Sequence, residues 1–269
     1  MKMKNGKLAN VYLVAVFVVL YAPIFYLMVY SFNSAGTMHG FESFTLEWYE
    51  EVFQDTRLLI IVLNTVVIAL LSSAISTILG VIGALAIQRV RKLRQRNSLL
   101  AMNNVLIVSP DVIIGASFLI FFTMLGIQLG FTSVLLSHIA FSVPIVVLMV
   151  LPKLQEMSPT LIDAAKDLGA SGWGVLTKVV LPFLRPGIFA GFFMALTYSL
   201  DDFAVTFFVT GNGYSTLSVE IYSRARQGIS PSINALSTLI FFVTLILVVG
   251  YYFLTRRTGR KPSWEVAQP

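Results

Sequence analysis

Cysteine is absent, histidine occurs twice, and charged residues make up only 12% of the 269-residue chain. Without cysteine there is no disulfide, thiolate metal site, iron–sulfur cluster or cysteine nucleophile. His39 and His138 lie far apart with no carboxylate at ligand spacing, so no protein metal site is expected. Soluble chains carry about 25% charge, and here 57% of the residues are hydrophobic. That composition excludes a disordered tail and a collagen-like rod, and six membrane crossings of about 20 residues each leave no room for a separate soluble enzyme domain. The net charge of +6 does not argue for nucleic acid, because the basic residues flank apolar runs. A single polytopic domain over 1–269 is expected, with the lipid bilayer as its solvent.

Six apolar runs are long enough to cross a bilayer: Leu8–Phe32, Leu58–Ile87, Leu99–Leu125, Ser133–Leu151, Gly187–Phe208 and Ile233–Thr255. The first follows Lys2, Lys4 and Lys7 in the manner of a signal peptide, but it is too long and lacks a small-residue cleavage site. It is expected to stay attached. Lys2, Lys4 and Lys7, the loop Arg89–Arg96, the segment Lys153–Arg185 and the tail Arg256–Lys261 all fall on one side. They hold sixteen of the nineteen Lys and Arg residues, leaving Arg57, Arg224 and Arg226 opposite. Both termini are therefore expected in the cytoplasm. The outer loop after the first span is acidic, with Glu42, Glu47, Glu50, Glu51 and Asp55. A short outer helix is expected over Leu217–Tyr222.

The cytoplasmic segment 152–186 is too long and too apolar for a simple connector. Ser158-Pro159 supplies a helix start, Leu161, Ala164, Ala165 and Leu168 recur at helical spacing, and Gly169 supplies a stop. A second helical run, Gly172 to Val180, is expected to end at Leu181-Pro182. An amphipathic helix lying on the lipid surface would have the same pattern. The stretch Asp163-Ala164-Ala165-Lys166-Asp167-Leu168-Gly169, followed by Val179-Val180-Leu181-Pro182, resembles the EAA loop of bacterial ABC importer permeases. Asp163 stands where that pattern has Glu, and Val179 where it has Ile. The resemblance implies a MetI-like type I importer fold in which Asp163, Ala164, Ala165, Gly169, Leu181 and Pro182 couple the spans to an ATPase. No Gly-x-x-x-x-Gly-Lys-Ser/Thr motif occurs, so ATP and Mg fall to that partner. No catalytic residue and no cofactor are expected in this chain.

Three carboxylates fall inside expected spans: Asp111, Asp201 and Asp202. An acid at bilayer depth costs at least about 2.5–3.5 kcal/mol and usually faces a partner or an aqueous path. On straight helices rising 1.5 Å per residue, Asp111 would stand about 18 Å and Asp201 about 22 Å above the inner face. No Lys or Arg lies in the spans to neutralise them, and a cationic substrate would. Tyr198 and Ser199 share their neighbourhood, and Trp48 in the outer loop is suited to hold an ammonium group. The structural alternatives are that Asp111 caps a half-helix after Pro110, that Asp201 or Asp202 binds a helix of a partner permease, and that Trp48 is an interface anchor. His138 is expected to be a hydrogen-bonded packing residue.

Ser109-Pro110-Asp111-Val112, Leu125–Phe131, Ala164–Ser171 and Ser199-Leu200-Asp201-Asp202 resemble the spermidine/putrescine permeases of the PotC type. So do Asn33, Phe44–Tyr49 and Ser230–Ala235. The resemblance implies a polyamine importer in the bacterial inner membrane. Its other parts would be a second permease (PotB type), an ATPase homodimer (PotA type) and an extracytoplasmic binding protein (PotD type). Two rival classes are an importer of the same architecture for ferric ion, an aminophosphonate or an organic anion, and a six-span receptor or intramembrane enzyme. An anion carrier would want basic groups in its spans, where this sequence has none, and the second class would leave the EAA-like loop without a role.

Overall fold

The computed structural model describes residues 6–38, 40–227 and 231–258. Lys2, Lys4, His39, Ser230, Arg260 and Lys261 lie outside the described residues. Among the described residues the regular elements are all helices, joined by turns and loops, with one isolated antiparallel bridge, Asn33 with Phe44. In order come α1 (Gly6–Tyr30), α2 (Glu47–Gln54), α3 (Thr56–Arg89), α4 (Leu93–Val108), α5 (Asp111–Met124) and α6 (Phe131–Gln155). Then follow α7 (Pro159–Asp167), α8 (Gly172–Asp201), α9 (Ala204–Val209), α10 (Leu217–Gln227) and α11 (Pro231–Thr258). The chain divides into two compact units: residues 60–222, and the terminal segments 1–59 with 223–269.

Four helices are long and apolar enough to cross a membrane: residues 10–30, 56–89, 131–155 and 172–201. The six expected spans need correction at two places. The third is two helices, α4 and α5, bent by 101°, because Pro110 cannot donate to the helix ladder and pushes Ser109 into extended backbone at ψ 141°. Counted as one broken span, the pair makes five. The fifth run ends at Asp201 and not at Phe208, since Asp202 takes extended backbone (ψ 120°) before α9 begins. The sixth expected run, Ile233–Thr255, lies within the single helix α11. The acidic outer segment is itself helical as α2, and the short helix expected at Leu217 runs on to Gln227.

In the terminal unit α11 packs against α1 and α2. The loop after α1 is organised by Asn33, which is 1% exposed. Its amide donates to the carbonyls of Thr37 (2.9 Å) and Gly40 (2.6 Å), while its side-chain oxygen accepts from the backbone N–H of Glu42 at 2.9 Å. The α1 surface stays apolar and exposed, Val19 at 72% for instance, which suits a lipid solvent.

The central unit is built on α6. Its Val146, Val147 and Val150 are buried against Ala84 of α3 and Leu184 and Ala195 of α8. Close approach depends on missing side chains. A Cβ on Gly80 would lie 2.5 Å from the Cβ of Val146, and one on Gly191 would meet the backbone of Val146 at 3.3 Å. The serines of α3 turn inward and bond to their own helix: Ser73 donates to the Ala69 carbonyl at 2.6 Å. Lengthening Gly80 to Val should therefore overpack the α3–α6 contact and cost about 1–3 kcal/mol. Gly83→Ala, whose Cβ would meet Val147 at 3.4 Å, should be tolerated. Thermal unfolding of the two purified variants checks the contrast; equal melting temperatures would contradict the packing.

Candidate functional site

The break between α8 and α9 shapes the site. Asp202 sits in the gap and caps α9: its carboxylate accepts from the backbone N–H of Val205 (3.3 Å) and Thr206 (2.8 Å) and from the Thr206 hydroxyl (2.6 Å). The adjacent Asp201, the last residue of α8, is left exposed. Asp111 opens α5 and is half-buried, accepting a 2.8 Å hydrogen bond from the Tyr198 hydroxyl. Tyr198 is held edge-on by Phe141, with ring centroids 5.0 Å apart. A cleft of about 250 Å³ is lined by Asp111, Tyr198, Asp201, Asp202, Phe203 and Ala204. No basic residue is among them.

Gly115, one turn along α5 from Asp111, allows α9 to pack onto α5. A Cβ there would stand 2.7 Å from Phe208 and 3.0 Å from the Cα of Val205. The 101° bend overturns the straight-helix heights expected for Asp111 and Asp201. The two acids line one cleft through the bend and this packing, not through equal rise along two parallel rods.

Behind the cleft runs a buried polar chain. His138, fully buried on α6, contacts Ser199 through Nδ1 (2.6 Å) and Thr206 through Nε2 (2.8 Å), and Ser199 contacts Ser72 of α3 at 3.0 Å. The proton directions follow from Asp202. A carboxylate only accepts, so the Thr206 hydroxyl donates to it and accepts from Nε2–H of His138. Ser199, 3% exposed, belongs to this chain and does not line the cleft. Truncation of His138 to Leu leaves the Ser199 and Thr206 hydroxyls without their ring partner and should cost about 2–4 kcal/mol. A fall in the melting temperature of the purified chain is the check, and an unchanged value would remove the network.

The remaining expected path residue, Trp48, belongs to the terminal unit. Its indole N–H donates to the Asn33 carbonyl at 2.7 Å, and its ring lies 3.7 Å from where a Gly36 Cβ would stand. Thr206 and Ser72 went unremarked in the sequence, although serines at 72, 73 and 76 in an apolar run signal a polar seam.

The second candidate region is the EAA-like loop. Helix α7 starts after Ser158 with Pro159 in its first turn and ends at Asp167. Gly169 closes it at φ +80°, where its N–H reaches the Lys166 carbonyl (2.8 Å) and that of Ala170 reaches Ala165 (3.0 Å). The apolar face divides in a way that the spacing did not show. Ile162 and Ala165 turn to the core, while Leu161, Ala164 and Leu168 are exposed, Leu168 to 89%. Asp163 is exposed as well. The second helix does not end at Leu181-Pro182. It continues from Gly172 to Asp201, because the π-turn Leu176–Val180 widens the ladder just before Pro182. The Leu181 N–H bonds back five residues to the Leu176 carbonyl. Leu181 and Pro182 are half-buried on this turn.

Comparison with known proteins gives a consistent result. Residues 76–261 match the family model described as binding-protein-dependent transport system inner membrane component. The spermidine/putrescine transport system permease protein PotC of Escherichia coli (strain K12) is 37% identical over 95% of this chain and 96% of its own. The putrescine transport system permease protein PotI of the same organism is 33% identical, covering 89% of this chain and 88% of its own. Among solved structures, a chain of a bacterial ABC transporter involved in import of the acidic polysaccharide alginate superposes with a TM-score of 0.71. That match covers 96% of this chain and 98% of the other at 17% identity, a likeness of fold.

Proposed function

We propose, since the chain belongs to the family of binding-protein-dependent transport system inner membrane components, that it is a permease subunit of a polyamine ABC importer. The observation that carries the substrate class is the cleft in which Asp111 and Asp201 stand with Tyr198 and no cation. A polyamine supplies the ammonium groups that the protein withholds. Asp202 contributes a fixed negative charge from behind but keeps its hydrogen bonds, so its role is to hold the break open. Trp48 holds the loop around Asn33, the anchor role, and is not needed for the path.

The chain acts as one transmembrane permease domain, 1–269, in the bacterial inner membrane with both termini cytoplasmic, an orientation supported by the one-sided distribution of Lys and Arg. A second permease of the PotB type completes the cavity. A PotD-type binding protein delivers substrate on the outer face, where the acidic loop attracts it. A PotA-type ATPase homodimer binds ATP and Mg and docks on segment 152–186. Leu161, Ala164 and Leu168 are the apolar docking set, with Asp163 beside them. Closure of the ATPase pair pushes α7, and the continuous α8 transmits the push as a rigid body to Tyr198 and Asp201. The permease makes and breaks no covalent bond. Two accessible acids attract a polycation moderately, which lets it leave again.

Uptake of labelled spermidine by the reconstituted complex tests this reading. Unlabelled putrescine and spermidine should compete, whereas ferric ion and 2-aminoethylphosphonate should not. Transport that ignores both amines would overturn the assignment.

A further inference from the structure

A second cavity, of about 390 Å³, lies in the central unit under the EAA-like loop. Its lining comes from the end of α3 (Leu85, Gln88, Arg89), the end of α6 (Leu154), α7 (Ile162, Lys166) and the start of α8 (Val175, Val180), among others. Leu154, Val175 and Val180 are buried and form its floor, while Gln88, Arg89 and Lys166 are exposed and form its rim. The lining contains two cations and no acid. Beside the rim, the guanidinium of Arg96 donates to the Gln88 side chain at 3.1 Å, while its buried Nε has no partner among the described residues. An apolar floor beneath a cationic rim matches a hydrocarbon chain carrying an acidic head. Arg89 also ends the 34-residue apolar helix α3, the level at which membrane head groups sit.

We propose that this cavity binds an anionic amphiphile, with its acyl chain on the Leu154–Val175–Val180 floor and its acidic head between Arg89 and Lys166. The occupant then packs against Ile162, on the inward face of α7, and stiffens the seat of that helix. Drug-sized pockets hold about 300–1,000 Å³, and this one takes a single acyl chain. The site is independent of the polyamine reading, since none of its residues lines the carboxylate cleft.

The test uses the full-length chain in nanodiscs of phosphatidylcholine doped with either phosphatidylglycerol or oleate, read by native mass spectrometry. At least one phosphatidylglycerol should stay bound after delipidation, and R89Q/K166Q should retain it at least about tenfold less. Retention of oleate alone would identify the free acid as the source and keep the proposal. A photoactivatable phosphatidylglycerol should label peptides bearing Ile162 or Val175 in the unaltered chain, a readout that needs no variant to fold. Equal retention of phosphatidylcholine, or labelling confined to α1, would overturn the proposal.

Discussion

Asparagine at position 111 or 201 should cut polyamine uptake at least about tenfold in vesicles while the complex still assembles. Each exchange keeps the shape and removes one charge from the cleft lined by Asp111, Tyr198 and Asp201. A tenfold loss corresponds to about 1.4 kcal/mol, a modest value for one ammonium–carboxylate contact away from bulk water. Asp111→Asn keeps an acceptor for the Tyr198 hydroxyl, so the 2.8 Å contact is not what is lost. Asp201, exposed at the end of α8, has no structural duty that the exchange would disturb. Asp202→Asn should behave differently. Its carboxylate holds the first turn of α9 and faces His138 at 3.5 Å, so the variant should lose folded yield rather than affinity. Saturable uptake over a range of spermidine concentrations separates the two outcomes. Normal uptake by both Asp111→Asn and Asp201→Asn would leave the cleft without a part in transport.

Gly169→Glu should abolish transport, to below about a tenth of normal, while ATP hydrolysis by the assembled complex continues. Gly169 sits at φ +80°, where an L side chain costs about 1–2 kcal/mol. No atom lies within 4 Å of where its Cβ would be, so the harm does not come from crowding inside this chain. It comes from relaxation of the turn that fixes α7 against α8, and from an acid set beside Leu168 on the surface proposed to meet the ATPase. Gly169→Asn, which tolerates the same φ, should stay within about twofold of normal. Transport and phosphate release measured on the same vesicles give the ratio that decides. A Glu variant with the normal ratio would end the coupling assignment for this loop.

Periodicity and charge were enough to place the long helices because those features are local. Runs such as 56–89 and 131–155 are long and predominantly apolar, which marks them as spans without any finer period. The EAA-like spacing was also local, and its Gly169 turn has the left-handed backbone that a helix stop requires. The break at Pro110 was visible as a proline, but its 101° angle was not. Proline states only that a hydrogen bond is missing; the packing of α5 on α9 sets the direction the chain takes next. The continuation through Leu181-Pro182 was equally hidden, since a π-turn is a tertiary compromise that spacing does not encode.

Composition and order along the chain determined by themselves that this is an all-helical membrane protein and that no Lys or Arg shares the apolar runs with Asp111, Asp201 and Asp202. Which acids face open space was decided only in three dimensions. Asp201 and Asp202 are neighbours of one chemical kind, yet one is exposed and the other is 8% exposed under three hydrogen bonds. A helix turns about 100° per residue, and the break after Asp201 adds a further change of direction. Partners for the second carboxylate come from Thr206 and from His138, 64 positions earlier. A choice set by groups so distant in sequence exists only once the helices have packed.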